Sequence, residues 1–469
     1  MPKTVVILGA GPAALSAGLE LNKKGFKTIL IEREDKIGGI SKTILYKGHR
    51  FDVGGHRFFT KSKEVNKLWH DTLGKDFVPT PRLSRIYYNR KFFMYPVEVK
   101  DTLLKAGIWT SIICVASYFK YKFFPIKPEK SFEDWVTNRF GQKLFKMFFQ
   151  SYTEKVWGIS TKKLSAEWAT QRIKNLSMWE TIKNAIFKPK EKVTSLIDEF
   201  YYPKYGPGMM YEKMAETLKK DGTEIMLSAD VISLKKKGNR IEEVIIESKG
   251  SKKSIKGDYF VSTIPLSDTI KFITPEIKKL ENIQKDLRFR DFLSVNLILK
   301  KPDLFPDTWI YVHDPAVKMG RVQNYKNWSR FMTADKDHTP IGCEYFCNQG
   351  DALWKTDDKK LIALASFELE KIGLAKKEDI VDGLVYRMRD AYPVYMGKYK
   401  EAICEAKSVI DSIENLEVAG RGGMFRYNNM DHSILAGLFA ARKIAGEKCD
   451  PWDVNEEKDY HEAVSKDKK

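Results

Sequence analysis

Residues 4–18, TVVILGAGPAALSAG, decide the fold. The continuous apolar run 4–8 reads as a parallel strand buried on both faces. Residues 12–24 read as a helix and 27–32, KTILIE, as a second strand, so the chain opens on a βαβ unit. Between strand and helix stands Gly9-x-Gly11-x-x-Ala14. Gly9 permits the tight turn, Gly11 lets backbone approach a pyrophosphate, and small Ala14 lets helix and strand pack closely. The helix N-terminus then faces phosphate. Glu32 ends the second strand, where a carboxylate can accept from ribose hydroxyls. Together these predict a dinucleotide site.

Two further features select a flavin dinucleotide, FAD. A second glycine pair, Gly38-Gly39, follows Glu32 closely, and Gly54-Gly55 come soon after. Near the other end, VAGRGGMFRYNNMDHSILAGLFAARKI (418–444) runs from a strand through a glycine-rich turn into an apolar helix. Such a helix N-terminus stabilises negative charge on a reduced isoalloxazine.

Between these ends the pattern changes. Residues 83–97, with alternating aromatics, read as a hairpin in another layer, and 100–195 as mostly helical. Strands return over 222–265, two of them joined at Gly238-Asn239. Residues 292–300 and 308–313 read as strands, and about 375–400 as a helix. The expected architecture is α/β: a Rossmann-type FAD-binding domain, an inserted antiparallel-sheet substrate domain and a helical subdomain. The expected segments are 1–75, 200–265 and 405–447 for the discontinuous FAD-binding domain, and 76–99 and 266–400 for the substrate-binding sheet. The helical subdomain takes 100–199, and 448–469 is a charged tail.

Composition sets limits. The 469 residues suggest about three domains. With 43% hydrophobic and 30% charged residues, disordered and collagen-like classes are excluded. Five scattered cysteines form no metal or redox spacing. They fit a reducing compartment, and with no leader pattern ahead of the first strand the expected location is cytoplasmic. The net charge is +19. No zinc-finger, RRM or basic-zipper pattern accompanies it, so no nucleic-acid partner is expected. Residues 106–119, AGIWTSIICVASYF, carry no formal charge but fall short of the roughly 20 needed to span a bilayer. A buried helix is the first expectation. A peripheral membrane contact, helped by Lys105, Lys120 and Lys122, is the second.

The motifs now combine. The N-terminal unit, DVGGHRFF (52–59), DYFVSTIP (258–265) and GRGGMFRYNNMDHS (420–433) resemble the protoporphyrinogen oxidase and amine oxidase superfamily of flavoproteins. Within it, MYPVEV (94–99), SYTEKVWGIS (151–160), SAEWATQRI (165–173), DTWIYV (307–312) and GRVQNY (320–325) are similar to motifs of the UDP-galactopyranose mutases. The resemblance runs from residue 4 to about 446. It implies that Arg172 and Arg321 clamp the diphosphate of a nucleotide sugar, as guanidinium forks suit phosphate. It implies hydroxyl contacts from Tyr311, Tyr392 and Tyr427, a sugar pocket lined by Trp309, and base contacts from Tyr95, Glu98, Tyr152 and Trp157. His56, with Gly54 and Gly55, would lie against the flavin, and Arg85, Arg421, Asn429 and Ser433 would touch it. Arg57, Glu98, Thr153 and YYPKYGPGMMY (201–211) depart from the family's wording, around base and sugar.

The implied activity is a pyranose–furanose ring contraction without net redox change. Reduced flavin N5 attacks the anomeric carbon, and NADPH or NADH serves as external reductant. The alternative is an FAD-dependent oxidoreductase of the amine oxidase or protoporphyrinogen oxidase type. No metal is expected. His70, His313, His338 and His461 join no motif, and Cys343 and Cys347 read as buried thiols.

Overall fold

The computed structural model describes residues 2–97, 99–166, 199–275 and 280–454. Its first layer is a five-stranded parallel sheet in the order Leu416–Val418, Tyr259–Ser262, Thr4–Leu8, Lys27–Ile31, Glu224–Met226. Thr4–Leu8 is central because it can afford no wet face: Val5, Val6, Ile7 and Leu8 are fully buried. The first helix, Pro12–Lys23, starts with proline at its first position, where a missing N–H costs no hydrogen bond. It lies against the last helix, Met430–Ile444, at Gly437, where a Cβ would stand 2.1 Å from the Ala13 carbonyl oxygen. Ser16 seals the contact by donating to the Ile434 carbonyl at 2.9 Å.

A four-stranded sheet adjoins this unit. It contains the hairpin Asp230–Lys237 and Arg240–Ser248, which turns at Gly238-Asn239. The second large layer is a seven-stranded sheet in the order Ile380–Pro393, Phe289–Leu299, Thr339–Cys347, Arg321–Asn324, Trp309–Val312, Ser84–Tyr88, Lys91–Met94. All its pairings are antiparallel except that of Trp309–Val312 with Ser84–Tyr88. Helices Ile108–Phe123 and Phe132–Phe140 and the turns after them pack on the hairpin edge, joining Ile86 and Phe93 to Cys114, Tyr118, Leu144, Met147 and Phe148.

Two expectations are corrected. Residues 380–393 are the longest strand, not part of a helix. Both faces of this strand are covered, with Ile380 and Val385 toward one core and Leu384, Tyr386 and Met388 toward another. Covering both faces erases the polar–apolar alternation that marks a half-exposed strand. The helices flanking it are Asp358–Lys371 and Tyr399–Asp411. Second, the apolar stretch 106–119 is not a buried helix. Within Ile108–Phe123 only Cys114 and Tyr118 are buried. Among the described residues no helix is long and apolar enough to cross a membrane.

Candidate functional site

A cavity of about 750 Å³ opens beyond the carboxyl ends of the parallel strands and runs to the seven-stranded sheet. Ligands of open α/β sheets bind at that edge. One end is made of backbone. Gly9 has φ +105°, and a Cβ there would meet Thr263 Oγ1 at 2.4 Å. Gly11 faces Gly39 across the floor, and the Gly38 N–H donates to the Ala10 carbonyl at 2.8 Å. The Glu32 carboxylate accepts from the N–H groups of Ala10 (2.8 Å) and Glu34 (3.0 Å), bracing the turn while it lines the cavity. Burial pushes its pKa up, and the two N–H bonds oppose that shift.

At mid-cavity the last helix arrives by its N-terminus. Asn429 stands at its N-cap position without a side-chain capping bond, and Asn429, Met430 and Ser433 line the wall. Arg421 donates to the carbonyls of Asn428 (2.9 Å) and Ala391 (3.1 Å). Its guanidinium lies 4.5 Å from the Tyr427 ring centre and 5.6 Å from that of Tyr392, two rings stacked on each other.

The other end is made of side chains. Arg321 and Glu344 face each other across neighbouring strands. Arg321 Nε donates to Glu344 Oε2 at 2.8 Å, and Nη2 donates to the same oxygen. Glu344 Oε1 accepts from Gln323 Nε2 (2.9 Å) and the Gly55 N–H (3.1 Å). Glu344 is fully buried, so this saturation with donors is what permits its charge. Burial works against the Arg321 charge, but Glu344 and the tyrosines around it outweigh that, and its pKa is raised. Nη1 of Arg321 has no hydrogen-bond partner among the described residues. Around it stand Tyr152, stacked on His313 at 4.7 Å, and Tyr311, whose ring centre lies 4.7 Å from that of Tyr95.

His56 lies between the two ends. Burial, and then the nearby Arg421, push its pKa down to about 3, so the ring is neutral. Its Nδ1 sits 3.1 Å from the Gly54 carbonyl, which fixes Nδ1 as the donor and leaves Nε2 an acceptor.

One cavity therefore collects Gly9, Gly11, Glu32, Gly39, Gly55, His56, Tyr95, Tyr152, Trp157, Trp309, Tyr311, Arg321, Tyr392, Arg421, Tyr427, Asn429 and Ser433. Ala14, Gly38 and Gly54 are not part of its lining. Arg85 is corrected: it does not line the cavity, because its guanidinium is held by the buried Asp307, with Nε to Oδ1 at 2.8 Å, and lies over Phe92. Arg172 and Glu98 lie outside the described residues.

The sequence reading missed Glu344, Gln323 and His313. A signal existed for the first: one carboxylate inside the apolar run PIGCEYFC demands a cation beside it. Gln323, two residues after Arg321, shares its strand face. His313 left no signal.

Comparison with known proteins bears on the fold. Residues 7–72 match an NAD(P)-binding Rossmann-like domain. The whole chain has the fold of reduced UDP-galactopyranose mutase: TM-score 0.84 at 20% identity, over 98% of this chain and 99% of that one. Putrescine oxidase bound to putrescine superposes with TM-score 0.61 at 14% identity, over 95% and 100%. Among curated proteins, the neurosporene-forming phytoene desaturase of Rhodobacter capsulatus is 39% identical over 72 residues. That match spans 15% of this chain and only 13% of the desaturase.

Proposed function

We propose that the chain is an FAD-dependent nucleotide-sugar pyranose–furanose mutase of the UDP-galactopyranose mutase type. The fit to FAD rests on the backbone end of the cavity. Gly9 and Gly11 carry no side chain where a pyrophosphate passes, Glu32 keeps acceptor capacity for ribose hydroxyls, and a helix N-terminus faces mid-cavity. When bound and reduced, the flavin supplies a nucleophile, N5, for the anomeric carbon.

The observation that carries the reading is Arg321. A guanidinium whose Nε and Nη2 are fixed by Glu344 keeps Nη1 for a ligand of a cavity whose lining also carries Tyr152, Trp309, Tyr311, Gln323 and Arg57. A departing nucleoside diphosphate needs that charge, and a preorganised donor in a dry site stabilises it without reorganisation. Tyr311, Tyr392 and Tyr427 line the same cavity and bring hydroxyls to it. Trp309 Nε1 and Gln323 Oε1 are buried without a hydrogen-bond partner among the described residues, a donor and an acceptor suited to sugar hydroxyls. In the proposal Arg172 joins the clamp, Tyr152 and Trp157 hold the base, and NAD(P)H reduces the enzyme occasionally.

Two observations favour a second reading, an oxidoreductase acting on an apolar substrate: the curated desaturase match and the aromatic side chains in the cavity lining. A single experiment separates the two. The flavin is reduced anaerobically with dithionite and nucleotide sugars, led by UDP-galactose, are supplied. The mutase yields an isomer of unchanged mass, only when reduced. No isomer from any sugar, with steady flavin turnover on polyenes or amines, would establish the oxidoreductase instead.

A further inference from the structure

The surface is unusual at one place. Nine of the fourteen exposed large hydrophobic side chains among the described residues fall between 104 and 124. Ile108 is 73% exposed, Trp109 76%, Phe123 69% and Phe124 77%, with Ile112 and Phe119 between them on the same helix. A contiguous apolar face of this kind marks an interaction site.

Charge selects the partner. Residues 106–128 contain Lys120, Lys122 and Lys127 and no aspartate or glutamate. The Lys122 ammonium lies 5.8 Å from the Tyr118 ring centre and that of Lys120 5.4 Å from the Tyr121 ring centre. Both ammonium groups thus lie beside rings at the margin of the apolar face, from where a long flexible lysine side chain can swing its charge to a headgroup while its stem stays on apolar surface. A second copy of the chain packed by two-fold symmetry would set this all-basic rim against itself, with no carboxylate in the segment to pair it. An anionic lipid surface meets both needs at once. The helix has 16 residues, about 24 Å, and does not cross a bilayer, so it lies in the interfacial plane.

We infer that Ile108–Phe124 docks the protein on an anionic bilayer. Ile108, Trp109, Phe123 and Phe124 enter the acyl boundary, and Lys120, Lys122 and Lys127 meet lipid phosphates. The inward face of the same helix packs Cys114 and Tyr118 against Met147 and Phe148, and Phe148 lines the cavity. Docking therefore sets the cavity wall one side-chain layer from the membrane, whatever the cavity binds.

The full chain is sedimented with vesicles of phosphatidylcholine alone and of phosphatidylcholine with an equal part of phosphatidylglycerol. Pelleting with the anionic vesicles is expected, weakened by salt. The triple variant Trp109→Ser, Phe123→Ser, Phe124→Ser should bind about tenfold less tightly or worse, with an unchanged circular dichroism spectrum because these side chains are exposed. Lys120→Glu with Lys122→Glu should remove the preference for anionic lipid. The inference is overturned if the parent stays in the supernatant with both vesicles, or if parent and triple variant pellet equally. It is also overturned if the parent is a dimer without lipid affinity that the triple variant turns into a monomer, which would assign the face to a second copy.

Discussion

The two ends of the cavity are built from different materials. At the dinucleotide end the ligand-facing surface is backbone: Gly9, Gly11 and Gly39, with Glu32 bracing the turn through two N–H groups. At the far end it is side chains delivered by strands far apart in sequence, with Arg321, Gln323, Glu344, Trp309 and Tyr311 meeting on one sheet. A backbone surface depends on what is missing, namely Cβ atoms. A side-chain surface depends on mutual satisfaction, since each buried charge holds only while its partner is present. The first is damaged by adding an atom and the second by removing one.

The sharpest test of that contrast is Arg321→Ala. It leaves Glu344 buried with its principal counter-charge gone, and breaking a buried pair from one side costs about 3–5 kcal/mol of stability. Urea unfolding should show this as a lower midpoint with an unchanged slope. The double variant Arg321→Met with Glu344→Leu should recover most of the loss, since an apolar pair of similar volume is tolerated. Activity would return in neither variant. A single variant as stable as the parent would mean that Glu344 is not held as a charge, and the contrast would fail at its strongest point.

At the other end the corresponding change is Gly437→Ala. The new methyl would stand 2.1 Å from the Ala13 carbonyl oxygen and 2.4 Å from Ser16 Oγ, so the last helix must shift away from the first. Overpacking of this kind costs about 1–3 kcal/mol. The shift carries Asn429 and Ser433 with it, so bound flavin should fall, read as absorbance per protein. Loss of stability with full flavin content would separate the helix packing from the dinucleotide site.

The same difference in material explains what could be read from the sequence. A backbone-built site must write glycines at fixed spacing next to a strand and a helix, and those letters occur in one short stretch, 4–39. The far end writes no local pattern. Arg321 and Glu344 become neighbours only through strand register, and Tyr392 ends a strand whose apolar residues on both faces imitate a helical period. Resemblance to the mutase motifs brought Arg321 and the tyrosines into view. It did not identify Glu344, whose purpose is to hold another residue. Arg85 misled because an arginine on a strand near the site can as well serve the sheet, and here the buried Asp307 claims it.

The smallest expected effect is also the most selective. The Tyr392 side chain is buried in the cavity wall, and its hydroxyl makes no hydrogen bond among the described residues. Removing it costs the free protein no internal partner, so Tyr392→Phe should leave stability within about 0.5 kcal/mol of the parent. If that hydroxyl serves a diphosphate oxygen, the variant loses one hydrogen bond to a charged acceptor. UDP affinity by calorimetry should then fall by about 1.5–3 kcal/mol, roughly 10- to 150-fold. Flavin content should stay unchanged, because Arg421 keeps its bonds to Asn428 and Ala391. An equal loss of UDP and flavin binding would mean that the stacked pair Tyr392–Tyr427 holds the whole mid-cavity in place, and the division between a backbone end and a side-chain end would have to be redrawn there.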